Sequence, residues 1–196
     1  MKIRLLIIAL AICTIATPAM AALFFDDFNS ENGGVGKLNY NSFANWTVTD
    51  GTVDLIGNGF YDFLPGNGLY VDLDGSTYNA GIMTTTTSLS LDPGTYTLSF
   101  DLAGNHRNGA TETVSVKVEV GLFSKTYSLG RYDPFTTFTE TFTVLTAGNY
   151  NLSFEGTGGD NIGMLLDNVS VVPVPAAVIL GILGLGVVGI KLRKYA

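Results

Sequence analysis

Apolar and polar side chains alternate along much of this chain, and a period of two is the repeat of a β-strand. The alternation runs through Tyr96–Leu102 and Val114–Val120, where every second residue is apolar. It recurs in Leu69–Leu73, Phe138–Val144 and Tyr150–Phe154. No part of residues 22–172 shows the period of an amphipathic helix. The pattern predicts about nine or ten short strands.

Turn-forming residues separate these segments, as expected for short antiparallel strands. The Asp50-Gly51 pair between two apolar runs favours a type I′ hairpin, because both central positions of that turn need a positive φ. The predicted fold class is therefore all-β, an antiparallel β-sandwich or barrel.

One internal similarity lies within this region. LDPGTYTLSFDLAG, residues 91–104, aligns with LTAGNYNLSFEGTG, residues 145–158, with seven of fourteen positions identical. We expect each copy to be a turn leading into a core strand whose Tyr, Leu and Phe face inward. A duplication of the whole fold is the alternative.

The first 21 residues have the pattern of a secretory signal peptide. Lys2 and Arg4 precede an apolar run, and Ala19-Met20-Ala21 places small residues where a signal peptidase cuts. The one cysteine, Cys13, lies inside this segment. The exported protein would then have no disulfide, no thiolate chemistry and no cysteine for zinc.

Residues 22–172 are strongly acidic. They contain all 17 acidic residues of the chain and only five basic ones. Nucleic acid is excluded as a partner on this ground, since phosphate binding needs clustered Lys and Arg. Divalent cations and neutral sugars remain candidates.

The C-terminal 24 residues predict a transmembrane helix. An uncharged, Gly-rich apolar run follows Pro175, and Lys191, Arg193 and Lys194 come after it. The apolar run is just long enough to span a bilayer, and the cations favour the cytoplasmic side. We expect Pro173 and Pro175 to end the preceding strand. A buried core helix and a glycolipid-anchor signal are the alternatives.

This tail resembles the bacterial PEP-CTERM type of sorting signal, in particular its VPLPA-like variants. The resemblance consists of the motif Val172-Pro173-Val174-Pro175-Ala176, the apolar helix and the basic end Lys191, Arg193 and Lys194. It implies recognition by an exosortase-type membrane enzyme, cleavage near the prolines, and delivery to the cell surface or extracellular matrix. Val174 stands where the name-giving motif has glutamate.

The segments WTVTDGTVDLIG, GLYVDLDGST, GTYTLSFDLAG and LLDNVSV resemble the galactose-binding-like β-jelly-roll domains of exported bacterial proteins. The resemblance implies a jelly-roll sandwich. We therefore divide the chain into a signal peptide (1–21), a β-sandwich domain (22–172) and a sorting tail (173–196).

Calcium is the metal that these oxygen-rich loops favour. The likeness to jelly rolls that tie their first strand to their last with calcium implies Asp27, Asn29 and Asp167 as ligands. The alternative has Asp26 and Asp27 facing solvent, with Asp167 buried and accepting bonds from backbone amides.

A sugar site needs an exposed aromatic ring with polar groups around it. The candidates are Phe60, Tyr61 and Phe63 in the loop GNGFYDFLPGNG; their packing under that loop is the alternative. His106 is the chain's one histidine, so a catalytic triad is not indicated. The sequence predicts an exported, non-enzymatic module that binds polysaccharide or serves a structural role at the surface. A secreted carbohydrate-active enzyme is the alternative.

Overall fold

The computed structural model describes residues 21–107, 112–118 and 122–175. Ala176, Lys191, Arg193, Lys194 and nearly all of the predicted signal peptide lie outside the described residues. Within the ranges that are described, no helix is long and apolar enough to cross a membrane. The strands in those ranges are β1 (Phe24–Asp26), β2 (Trp46–Thr49), β3 (Asp54–Gly57), β4 (Leu69–Asp72), β5 (Ile82–Thr85), β6 (Leu89–Leu91), β7 (Gly94–Ala103), β8 (Glu112–Val118), β9 (Phe123–Leu129), β10 (Thr136–Val144), β11 (Gly148–Tyr150), β12 (Leu152–Gly156) and β13 (Leu165–Pro173).

Two antiparallel sheets carry most of these strands. The β13 sheet has the order β10-β7-β13-β4-β3, with β1 pairing to the second half of β13. The β12 sheet has the order β2-β5-β12-β8-β9, and β6 and β11 form a separate pair. Strands adjacent in sequence often pass from one sheet to the other, as in a jelly roll. The predicted all-β antiparallel sandwich is confirmed.

The core lies between the sheets and is rich in aromatic rings. Phe100 of β7 meets Phe154 of β12 edge to face, with ring centroids 5.3 Å apart. Trp46 of β2 packs against Phe154 at 5.7 Å and against Phe24 of β1 at 5.3 Å. Its Nε1 donates a hydrogen bond to Asp26 Oδ2 at 2.8 Å. These contacts join the two sheets through buried apolar surface, the main favourable contribution to folding.

The two similar segments occupy equivalent places in opposite sheets. Leu98 and Phe100 point into the core from one side, and Leu152 and Phe154 do so from the other. Each segment also begins with the same local contact. Tyr96 Oη donates to Asp92 O at 2.8 Å, and Tyr150 Oη donates to Thr146 O at 2.7 Å. The prediction of two turns feeding core strands is confirmed for the Leu and Phe positions. Tyr150 is only half-buried.

The predicted Asp50-Gly51 hairpin is wrong. β2 pairs with β5 in one sheet, whereas β3 pairs with β4 in the other. Asp50 has the positive φ of 57° that the turn type needs, but the chain uses this bend to cross between sheets. Thr52 N donates to Asn79 O at 3.0 Å, which fixes the crossing.

The proline motif begins inside the sheet. Val172 and Pro173 pair with Thr97 and Tyr96 of β7, and Val174 N donates to Thr95 O at 2.8 Å. Successive N–H groups of a strand point to opposite sides, so the missing N–H of Pro173 faces the side of β1. On that side the pairing has already ended, with the bond from Leu23 N to Val171 O. Pro173 is therefore tolerated as the last residue of the strand.

Candidate functional site

The loop of residues 58–68 covers the outer face of β3 and β4. A second apolar cluster forms beneath it from Ile56, Tyr70, Ala103 and Leu165. Tyr70 ties the loop down, because its hydroxyl accepts from Leu64 N at 2.9 Å and donates to Asp62 Oδ1 at 3.2 Å. Burial raises the pKa of Tyr70 to about 12. Both faces of β3 and β4 are buried as a result, although their sequence pattern predicts burial of one face only.

The three aromatic candidates of this loop do not share one environment. Phe60 and Phe63 are half-buried and pack against the second cluster, so the predicted alternative of packing under the loop is confirmed for them. Tyr61, by contrast, is 53% exposed. Its backbone has a φ of 44°, in the left-handed region that bulky residues avoid. The backbone conformation of Tyr61 therefore costs free energy, and the surrounding loop maintains it with the residue exposed to solvent.

Arg107 reaches this surface from the end of β7. Its guanidinium lies over the Phe63 ring, 5.2 Å from the centroid, and Nη2 donates to Asp72 Oδ2 at 2.8 Å. The same Nη2 contacts the carbonyl oxygen of Asn161, while the buried Nε has no hydrogen-bond partner. Guanidinium over an aromatic face is a favourable cation–π arrangement.

Asp72 is almost wholly buried on β4. Burial raises the pKa of its carboxyl, while the charge of Arg107 and the N–H groups of Asp74 and Gly163 act in the opposite direction. Its Oδ1 accepts from Gly163 N at 2.9 Å and from Asp74 N at 3.1 Å. These hydrogen bonds and the ion pair with Arg107 hold the Asp72 carboxylate in a fixed position.

A cleft with a volume of about 220 Å³ lies between these groups. Tyr61 and Phe63 supply aromatic surface, and Asp54, Asp72 and Arg107 supply charged hydrogen-bonding groups. Ser76 also lines it and donates through Oγ to Asp54 Oδ2 at 2.8 Å. We call this the Tyr61 cleft. Aromatic surface with a few fixed polar groups is the composition of a small-molecule binding site, here one with room for a short ligand.

A second depression lies beside β1 and has a volume of about 290 Å³. Leu23, Phe24, Leu89 and several Ser, Thr and Asn side chains line it. Its lining contains no charged residue. The Tyr61 cleft therefore offers the stronger set of directional contacts.

The residues predicted to bind calcium are placed as follows. Asp167 is buried, its Oδ1 accepts from Asn168 N at 2.7 Å, and burial followed by the charges of Asp101, Asp27 and Asp26 raises its pKa to about 7. Asn29 Oδ1 instead accepts from Leu69 N at 2.9 Å, and a Cβ at Gly68 would collide with that oxygen.

No group of three acidic, His or Cys side chains with metal-binding geometry occurs in the described ranges. The calcium site stays a prediction. Asp26 is buried rather than solvent-facing, because it accepts bonds from Trp46 Nε1 and Phe28 N.

His106 serves the loop structure. Its Nε2 lies 3.1 Å from Asp133 O, and its ring contacts Tyr132.

Sequence reasoning missed Arg107, Asp54, Asp72 and Asn161. Asp54 and Asp72 left a signal, because an acidic residue at the end of an apolar strand is costly to bury without a partner. The cation that pairs with Asp72, Arg107, lies 35 residues away in the sequence.

No protein-family model and no curated protein matches the chain. Among solved structures, it is similar to the CBM22-1 xylan-binding domain of Xyn10C from Paenibacillus barcinonensis. The identity is 14%, covering 81% of this chain and 98% of that one, at a TM-score of 0.49. The C-terminal CBM6 of LamC, a marine laminarinase from Zobellia galactanivorans, shows 16% identity over 69% of this chain and 96% of that one, at a TM-score of 0.44. TmCBM61 in complex with β-1,4-galactotriose shows 12% identity over 70% of this chain and 99% of that one, at a TM-score of 0.49.

Proposed function

We propose that this protein is a non-catalytic carbohydrate-binding module that acts at the cell exterior and holds a neutral glycan in the Tyr61 cleft. The observation that carries the proposal is an exposed Tyr61 ring beside a fixed array of hydrogen-bonding groups. The C–H face of a sugar ring packs on an aromatic face, which carries partial negative charge. Carboxylates, hydroxyls and guanidinium groups at the edge of such a platform bind sugar hydroxyls.

The charges of the cleft favour a neutral ligand. Arg107 is already paired with Asp72, and Asp54 adds a further carboxylate. The whole chain carries a formal net charge of −7. A uronate or sulfate group entering the cleft would therefore be repelled, whereas a hydroxyl donates to these carboxylates.

Binding is tested with the full-length protein on neutral polysaccharides, namely xylan, β-1,3-glucan and galactan, with alginate and polygalacturonate as acidic counterparts. We expect retention on at least one neutral polymer and none on the acidic ones. Tyr61→Asn should weaken binding about tenfold, since it removes the ring and Asn tolerates the left-handed backbone. Tyr132→Asn is the matched control, because Tyr132 is 63% exposed and does not line the cleft.

Equal binding by the Tyr61→Asn variant and the wild type would overturn the proposed site. An assay for released reducing ends on the bound polymer separates binding from hydrolysis. Turnover that is lost in Asp54→Asn but retained in Tyr132→Asn would favour the enzyme instead.

For placement in the cell, we propose export by the N-terminal signal and sorting by the tail. In this proposal the membrane holds the tail at least transiently, and an exosortase-type enzyme processes it. The support is the order of motif, apolar run and basic end in the sequence. Of the motif itself, Val172 to Pro175 are partly exposed where β13 ends. Mass spectrometry of the released protein tests this: a C-terminus near Pro175 supports processing, and an intact Ala196 contradicts it.

A further inference from the structure

A second polar cleft lies next to the first. It has a volume of about 300 Å³, and its lining includes Asp50, Tyr78, Glu155 and three glycines of residues 156–159. We call it the Tyr78 cleft. The glycines leave the floor free of side chains, and at Gly158 a Cβ would collide with Ala80 N.

Tyr78 is an exposed ring on a fixed backbone. The residue is 68% exposed and its φ is 62°, again in the left-handed region. The backbone N–H of Tyr78 donates to Asn161 Oδ1 at 2.6 Å, and Asn79 Nδ2 donates to Asp50 O at 2.6 Å. Such a conformation is unfavourable for a tyrosine and persists only where the surroundings impose it. Tyr61 and Tyr78 thus share two uncommon properties, exposure and a positive φ.

The two clefts have a common wall. Asn161 lines the Tyr61 cleft, its carbonyl oxygen contacts Arg107, and its side chain holds Tyr78. Ser76 of the first cleft is two residues from Tyr78 of the second, and two residues of extended chain span at most ~7 Å. Asp74 fixes the other segment of the wall, since its Oδ2 accepts from Gly159 N at 3.2 Å.

We infer that the Tyr78 cleft is a second sugar subsite, and that the ligand is an oligosaccharide chain lying across both clefts rather than a single terminal sugar. The inference rests on the proposed function. In the second subsite the Tyr78 ring is the platform for one sugar unit, and the carboxylates of Asp50 and Glu155 accept from its hydroxyl groups. Asn161 connects the two subsites, because it lines the first cleft and bonds to the backbone of Tyr78 in the second.

The test is calorimetric titration of the full-length protein with laminari-, xylo- and β-1,4-galacto-oligosaccharides of two to six units. The affinity of the wild type for the ligand series that binds should rise with chain length. Tyr78→Asn should lower the affinity for the six-unit ligand about tenfold and leave that for the two-unit ligand unchanged, whereas Tyr61→Asn should lower both. Asn is chosen at both sites because it accepts a positive φ, and unchanged melting temperatures verify folding.

The outcomes separate the two proposals. Length-independent affinity, or a Tyr78→Asn variant that binds the six-unit ligand like the wild type, overturns the second subsite and leaves the Tyr61 site standing. Failure of all three series to bind the wild type overturns both. Loss of binding in Tyr78→Asn without loss in Tyr61→Asn overturns the Tyr61 cleft as the primary site and, with it, the ligand that spans both.

Discussion

The hydroxyl of Tyr127 donates a hydrogen bond to Glu140 Oε1 at 2.8 Å, joining β9 of the β12 sheet to β10 of the β13 sheet. Both strands lie at an edge of their sheet in the order given above. Lys125 forms an ion pair with the same oxygen of Glu140. The Tyr127 ring also packs against Phe100 and Phe138, so one residue contributes both apolar and polar contacts to this closure.

The first prediction concerns this contact. Tyr127→Phe keeps the packing and removes the hydroxyl, and hydrogen bonds to charged groups contribute about 1.5–3 kcal/mol. We expect the free energy of unfolding to fall by about 1–2 kcal/mol, measured by urea denaturation followed by circular dichroism. Lys125→Met is the matched comparison. It should cost less than about 1 kcal/mol because the Lys125 side chain is half-exposed and solvent screens its charge. The reverse order of effects would contradict the assignment.

The second prediction concerns pH. Because burial, with the charges of Asp101, Asp27 and Asp26, raises the pKa of Asp167 to about 7, the folded protein binds a proton that the unfolded chain releases near pH 4. This contribution to stability is complete below about pH 4 and is lost as the pH rises towards 7.

Melting temperatures at pH 5, 6, 7 and 8 check this sign. The wild type should lose stability across the series, by a few kcal/mol at most, while Asp167→Asn should lose less. The substitution keeps the size of the side chain and removes its titration. Parallel profiles for the two proteins would show that Asp167 does not carry the effect.

The third prediction concerns Arg107 and Asp72. Arg107→Met leaves the Asp72 carboxylate buried without its cation, which should cost about 3 kcal/mol of unfolding free energy. Adding Asp72→Asn removes the stranded charge and should recover part of that loss. The double-mutant cycle measures the coupling. Additive effects of the two substitutions would mean that the pair is not energetically linked.

The fourth prediction concerns the end of the folded unit, which spans Ala21–Val174. A chain ending after Val171 lacks the pairs of Val172 and Pro173 with β7 and the bond from Val174 N to Thr95 O. Its melting temperature should fall several degrees below that of a chain ending after Val174. A chain ending after Pro175 is the control and should match the latter. Equal stability of all three chains would show that the last residues of β13 contribute nothing.

The alternation of side chains predicted the core well where a strand has one buried face. Leu98, Phe100 and Phe154 were expected to point inward, and they do. It failed at β3 and β4, because the loop that connects them, residues 58–68, folds back over their outer face, and the alternation within the two strands does not indicate such a cover. The Asp50-Gly51 pair correctly predicted the positive φ of Asp50, but it did not predict which strands pair on either side of the bend.

The sequence predicted only part of the candidate site, because the site also depends on contacts between residues that are distant in the sequence. Tyr61 was predicted as a sugar-binding residue because its loop is rich in aromatic residues, yet nothing in the sequence distinguished it from Phe60 and Phe63. Asn161 holds Tyr78 from 83 residues away. A contact between residues so far apart in sequence forms only after the strands have paired, so the sequence pattern does not reveal it. The positive φ angles of Tyr61 and Tyr78 are likewise features of the folded chain.

Trp46 has a practical consequence. It is the chain's one tryptophan, it is 1% exposed, and its ring touches strands of both sheets. Its fluorescence emission should therefore be blue-shifted in the folded protein and move to longer wavelength when the sheets separate. The protein thus contains its own optical probe of sheet-to-sheet packing, and stopped-flow experiments can follow folding without a label.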